Sequence, residues 1–125
     1  MAMTAHLLYP AWDAERPTTL SPTIIAEIIR TRIGFDGLLM SDDLGMKALP
    51  GTLAERARAA IAAGCDVALH CSGVLAESEE VAGAAGALSH AASDRLAKAL
   101  ARTPRGSRRS YDALAAKRDA LLAYA

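Results

Sequence analysis

Ile33-Gly34-Phe35-Asp36-Gly37-Leu38-Leu39-Met40-Ser41-Asp42-Asp43-Leu44-Gly45-Met46 is the stretch on which the fold turns. From Gly37 to Met40 the apolar run is short and does not alternate. That is how a strand covered on both faces of a parallel sheet reads, and the run is expected to stop at Ser41-Asp42-Asp43. Upstream, Ser21 and Pro22 supply an N-cap and a first-position proline for a helix. Ile24, Ile25, Ile28, Ile29 and Ile33 recur at intervals of three and four as its core face, and Gly34 closes it as a left-handed C-terminal residue would. Downstream, Thr52 with Glu55 forms a capping box for a helix running through Ala57, Ala60 and Ile61 to Gly64.

Gly64-Cys65-Asp66 then repeats the punctuation of Gly34-Phe35-Asp36 after 30 residues, the length of one helix and one strand with their loops. Thirty residues back from Leu38 lies Leu8, within the apolar opening segment. Three strands, Met3–Leu8, Gly37–Met40 and Val67–Cys71, each followed by a helix, are therefore expected. The remainder reads as helical. Val74 to Leu88 is weakly patterned, Ser93 is the expected N-cap of 94–102, and Thr103-Pro104-Arg105-Gly106-Ser107 reads as a linker. A last helix from Tyr111 carries Leu114, Lys117, Arg118, Leu121 and Leu122 as an amphipathic stripe expected to pack on a neighbour.

Composition limits what such a chain can do. Its 125 residues suit one domain, and of the 52% that are hydrophobic 29 residues are Ala, so the core must be thin and helix-rich. No apolar run approaches the ~18 residues of a membrane span, which argues against a membrane partner. The 14 basic and 14 acidic residues cancel, yet residues 94–119 hold 8 Lys+Arg against 3 Asp+Glu. Because Arg95, Lys98, Arg102, Lys117 and Arg118 alternate with Leu and Ala at helical spacing, with no aromatic cluster for base stacking, they read as a solvated helix face and not as a nucleic-acid surface. Cys65 and Cys71 are too few for a disulfide framework and no secretory leader opens the chain, so a reducing cytoplasm is expected.

Repeated strand–helix units build a parallel sheet by right-handed crossovers, so the fold class is α/β. Three units make a slice of a doubly wound sheet or of a (β/α)8 TIM barrel, and in both the chemistry lies at the carboxyl ends of the strands. Those ends present His6, then Ser41, Asp42 and Asp43, then His70, Cys71 and Ser72. Two adjacent carboxylates repel and resist desolvation unless donors offset them. Either one caps the following turn while the other is solvated, or the strand presents a carboxylate nucleophile or ligand. A metal or thiol site at His70 and Cys71 lacks ligand spacing, and a Ser–His–Asp triad from Ser41 or Ser72 has no better support. A receiver-like phospho-acceptor would need an early acidic pair and a late lysine that the chain lacks.

Met3-Thr4-Ala5-His6, Tyr9-Pro10-Ala11, Ile33-Gly34-Phe35-Asp36-Gly37, Ser41-Asp42-Asp43-Leu44-Gly45-Met46 and Ala63-Gly64-Cys65-Asp66 together resemble the N-acetyl-β-glucosaminidases of glycoside hydrolase family three, cytoplasmic enzymes of bacterial peptidoglycan recycling. Order and spacing match over nearly the whole chain. The resemblance implies a retaining glycosidase that needs no cofactor or metal, acting on an N-acetylglucosamine-containing muropeptide or glycoside. It makes Asp42 the nucleophile and puts His6 and Asp43 near the sugar, with Asp43 as a further acid or turn cap and Met46 packed below; His6 either supports or binds the sugar or is a buried histidine satisfied by backbone. It covers only the C-terminal part of the barrel, about three of the eight βα units plus terminal helices. The family's mobile K-H-x-P-G-H-G loop, which supplies the general acid/base, has no counterpart in this sequence. The implied product is a nucleophile without its proton donor, inactive alone. The alternative is a non-catalytic truncated product, or a subunit completed by another chain, through self-association or a missing N-terminal half.

Overall fold

The computed structural model describes residues 1–102 and 110–123. Three parallel strands, β1 (Ala2–Met3), β2 (Leu39–Asp43) and β3 (Val67–Leu69), form one sheet in the order β1-β2-β3. A 3-10 turn at Thr18–Leu20 and a π-helix at Ile24–Arg32 connect β1 to β2. Helix α1 (Leu53–Ala63) connects β2 to β3, and α2 (Leu75–Ala85), α3 (His90–Ala101) and α4 (Tyr111–Leu122) follow. The α/β class and the parallel strand–helix repeat are those read from the sequence. Among the described residues no helix is long and apolar enough to cross a membrane.

Boundaries moved where polar side chains intervened. β1 is shorter and earlier than Met3–Leu8: Thr4 still donates its N–H to the Met40 carbonyl at 2.8 Å. Beyond it the chain leaves the sheet, because Thr4 and His6 turn to Thr19. Conversely, β2 does not stop at the acidic pair but runs through Ser41, Asp42 and Asp43. β3 ends at Leu69, leaving His70 and Cys71 beyond the strand.

The first helix is wider than its isoleucine spacing predicts. The Ile33 N–H reaches back five residues to the Ile28 carbonyl at 2.8 Å, and the Thr31 hydroxyl does the same to Ala26. Each turn spends an additional residue, so intervals of three and four drift off one face. Ile24 and Ile25 are buried, whereas Ile33, expected on the core face, is 68% exposed. Gly34 follows with φ +73°, the left-handed terminator expected there.

Ile25, Leu39, Leu44 and Leu49 meet α1 through Ala57, Ala60 and Ala63 in one buried cluster. The capping box at Thr52 and Glu55 forms as read, which starts α1 in register with this core. Gly64 ends it at φ +115°, and a Cβ there would stand 2.9 Å from Ile25 Cγ2, so both backbone and packing require glycine. At the amino end of the sheet, buried Asp66 takes the guanidinium groups of Arg30 (2.8 Å) and Arg95 (2.7 Å) and the Leu39 N–H (2.8 Å). One carboxylate thus ties the π-helix, α3 and β2 together.

α3 begins four residues earlier than expected, since Ser89, not Ser93, accepts the Ala92 N–H as N-cap. In α4 the expected packing is absent: none of its described residues is buried, and Leu121 and Leu122 are exposed. Lys117 and Arg118 interrupt its apolar stripe, leaving too little contiguous apolar surface to dock it. The linker expected at 103–107 lies outside the described residues.

Candidate active site at the carboxyl end of the sheet

β2 is central, so its carboxyl end is flanked by those of β1 and β3. Met40 pairs with Val67 and Asp43 with Leu69, so β2 takes three steps where β3 takes two. This is a β-bulge, a device that leaves one residue unpaired and re-aims its neighbours. Ser41 and Asp42 lie in it, opposite Ala68. The Ser41 side chain is fully buried, and its Oγ accepts the Leu69 N–H at 2.9 Å where a main-chain carbonyl would ordinarily serve. Pairing then resumes with the Leu44 N–H on the Leu69 carbonyl at 2.9 Å.

The alternation that buries Leu39 and Ser41 leaves Met40 and Asp42 half-buried on the other face. Asp42 Oδ1 accepts the Asp43 N–H at 2.8 Å. Among the described residues Oδ2 has no hydrogen-bond partner, so one carboxylate oxygen is held and the other is available.

Asp43 works inward. Its Oδ1 accepts the N–H groups of Gly45 (2.9 Å) and Cys71 (3.1 Å), clamping the loops after β2 and β3 to each other. His70 lies against it with Nδ1 at 3.6 Å from the same oxygen, too far for a hydrogen bond. The other imidazole nitrogen is 2.9 Å from Glu77 and 2.8 Å from the Ser72 hydroxyl. Hydrogen bonds from Ser72 and then His70 hold the Glu77 carboxyl below its ordinary range.

His6 joins from β1. Its Nε2 is 2.9 Å from the Asp43 carbonyl and its Nδ1 is 2.8 Å from the Thr19 hydroxyl, which is itself 2.9 Å from that of Thr4. A carbonyl only accepts, so Nε2 carries a proton. With both nitrogens engaged, His6 acts on the site by fixing the Asp43 main chain. Beneath this bracket lies Cys65, whose thiol burial pushes up to about 11. Cys71 is exposed, and both thiols are free.

Asp42, Asp43 and His6 therefore converge at one strand end, together with His70. Met46, expected below the site, is 44% exposed. In the sequence Ser41 reads as a strand-end residue and a weak triad candidate, not as a bulge partner. A hydroxyl between a buried apolar run and two carboxylates was the available signal for its role in the bulge. Among the described residues no cluster of three or more His, Cys, Asp and Glu side chains is disposed to hold a metal.

Residues 1–105 match the glycosyl hydrolase family 3 N terminal domain. The chain is 43% identical over 108 residues to a beta-hexosaminidase of Chromobacterium violaceum, covering 85% of this chain and 29% of that protein. To the beta-hexosaminidase of Alkalilimnicola ehrlichii it is 49% identical over 72 residues, 56% of this chain and 20% of that one. Among solved structures, the family 3 beta-N-acetylglucosaminidase of Paenibacillus sp. FPU-7 superposes with a TM-score of 0.67 at 27% identity, over 88% of this chain and 24% of its own. The beta-N-acetylglucosaminidase of Thermotoga maritima gives 0.64 at 27%, over 85% and 26%. The chain thus spans less than a third of the length of each of these relatives.

Proposed function

This chain belongs to glycosyl hydrolase family 3, and on that premise we propose that it is the nucleophile-bearing part of a retaining β-N-acetylhexosaminidase, built as a slice of a (β/α)8 barrel. The observation that carries the reading is Asp42: a carboxylate beside a bulge at the carboxyl end of the central parallel strand, with one oxygen held by the Asp43 N–H and the other unengaged. In the proposed step that free oxygen attacks the anomeric carbon. A glycosyl–carboxylate bond forms as the bond to the leaving oxygen breaks, and water later releases the sugar. Asp43 and His6 hold the strand end against the sugar through the contacts described above.

The leaving oxygen needs a proton from a general acid. His6 has both ring nitrogens engaged and His70 is buried behind Asp43, so neither suits the role, and the proposed donor comes from a complementary barrel segment. The reading takes N-acetylglucosamine-terminated glycosides, muropeptides included, as substrates, and the cytoplasm as compartment. The substrate class draws on the names of the relatives. The compartment draws on two free cysteines.

Trapping tests it. A fluorinated N-acetylglucosaminyl donor whose glycosyl-enzyme hydrolyses slowly, given to this chain together with an N-terminal barrel half, should label Asp42, as read by peptide mass spectrometry. A label on Asp43 or on no carboxylate of this chain overturns the assignment.

A further inference from the structure

The loop that leaves β1 carries large apolar side chains into solvent. Leu7, Leu8, Tyr9 and Trp12 are 55, 48, 43 and 44% exposed. Yet the segment bearing them is tied throughout. Thr18 closes its base by giving both its N–H (2.8 Å) and its hydroxyl (3.1 Å) to the Leu7 carbonyl. The N–H groups of Trp12 and Asp13 turn back onto the Tyr9 carbonyl at 2.9 and 3.0 Å. The Asp13 carboxylate gathers the N–H groups of Glu15 and Arg16 and the hydroxyl of Ser21. The two rings, with centroids 5.4 Å apart and planes inclined at 37°, are thus held in a fixed pair. Among the described residues neither the phenol hydroxyl nor the indole N–H has a hydrogen-bond partner. Slack does not explain this exposure, and an ordered aromatic pair in water marks a contact surface.

Position supplies the chemistry of the contact. The loop departs from the carboxyl end of β1, the same end at which β2 presents Asp42. Tyr9 lies three residues beyond His6, whose imidazole touches the Asp43 carbonyl. At ~3.5 Å per residue that is no more than about 10 Å of chain, within reach of a short oligosaccharide seated at Asp42. We propose that Tyr9 and Trp12 form a stacking platform for a pyranose ring adjacent to the one that Asp42 attacks. This rests on the glycosidase reading and adds a subsite to it. A pyranose ring offers C–H groups on a face and hydroxyls around its edge. The electron-rich aromatic faces take the first, and the free indole N–H and phenol hydroxyl bond the second.

Trp12 is the only tryptophan in the sequence, so its emission reports on this loop alone. The 125-residue chain is titrated with N-acetylglucosamine and with its β-1,4-linked trisaccharide. A saturable change in emission is expected with the trisaccharide, with tighter apparent binding than for the monosaccharide. Tyr9→Ala should weaken that binding about three- to ten-fold, the measure of one aromatic contact, at unchanged circular dichroism. Tyr9→Phe, which keeps the ring face, should lose less.

No saturable response up to the solubility of the trisaccharide overturns the platform, as does a greater loss in Tyr9→Phe than in Tyr9→Ala. A blue shift that follows protein concentration and ignores sugar also overturns it, and assigns the rings to an interface between copies. The carboxylate label and the emission change are separate readouts. A failed label with a saturating titration removes the nucleophile and leaves the platform, and the reverse result removes the platform alone.

Discussion

Ser41 accepts the Leu69 N–H through its hydroxyl, at 2.9 Å, where β2 and β3 fall out of register. The oxygen keeps the Leu69 amide satisfied across the bulge, just ahead of the two carboxylates that follow Ser41. Ser41→Ala leaves that N–H orphaned, which costs about 1–3 kcal/mol, and it frees the bulge that sets the Asp42 backbone. A lower urea midpoint and slower labelling of Asp42 are expected together. Ser41→Thr retains the oxygen and should recover more of the labelling than of the stability. Equal labelling rates in wild type and Ser41→Ala would leave the serine with a folding role only.

The adjacent carboxylates differ in what holds them, and so should their variants. Asp42→Ala removes the proposed nucleophile and should abolish any covalent labelling. Asp43→Ala removes the acceptor of the Gly45 and Cys71 amides. It should loosen both loops, at about 1–2 kcal/mol, and leave measurable labelling. Comparing label yield with melting temperature in the two variants separates chemistry from support. Full labelling in Asp42→Ala is the outcome this assignment does not survive.

Much of this geometry could be read in advance, and the exceptions share a cause. The recurrence of Gly34 and Gly64 marked the strand–helix period, and the Thr52–Glu55 box marked α1, because backbone terminators and caps act locally. Asp42, Asp43 and His6 were legible as residues at strand ends. Hidden from view were the features set by contacts distant in sequence. The Ser41–Leu69 bond carries β2 through its acidic pair, and the His6–Thr19 contact draws the chain out of β1. The π-helix escaped because composition does not distinguish its ring size from that of an α-helix. Ser89 and Ser93 are equally good caps in isolation, and the burial of Ala92 favours the earlier start.

Asp66 holds the opposite end of the sheet and should govern stability without touching the chemistry. It is buried and receives Arg30, Arg95 and the Leu39 amide. Asp66→Ala strands a guanidinium pair and a buried N–H, and a loss of about 3–5 kcal/mol is expected from denaturant titration. Arg95 is more exposed, so Arg95→Ala should cost about 1 kcal/mol or less, felt chiefly as increased amide exchange in α3. Similar losses in the two variants would mean that Asp66 does not anchor the sheet.

Cys65 makes stability sensitive to alkali. The folded thiol titrates at about 11 against an ordinary 9.0, so above pH 9 the unfolded chain gives up a proton that the folded one retains. Its contribution is complete below pH 9 and is lost as pH rises through 11. Lysines and tyrosines titrate nearby, so the measure is a difference: the decline in urea midpoint from pH 8.5 to 10.5 should be shallower in Cys65→Ala. At pH 8 a thiol reagent should modify Cys71 in the native chain and reach Cys65 only in denaturant.

Among the described residues β1 and β3 each have a neighbour on one side only, and the three strands do not close on themselves. Open strand edges recruit further strands. A groove of about 580 Å³ runs beside β3, bordered by Val67, Ala68, Val81 and Leu88, and widens the surface that another segment can cover. The isolated 125-residue chain is therefore expected to be marginally stable and to self-associate, with light scattering above the monomer mass. Met3, 53% exposed on β1, offers a direct test, because Met3→Lys puts a charge on that edge and should lower the associated fraction. On warming, α1, with its capping box and left-handed glycine, should outlast both the sheet and the π-helix, whose geometry has little local stability. A monodisperse monomer with a cooperative, high-temperature melt would show that these edges are protected in a way the three-stranded sheet does not provide.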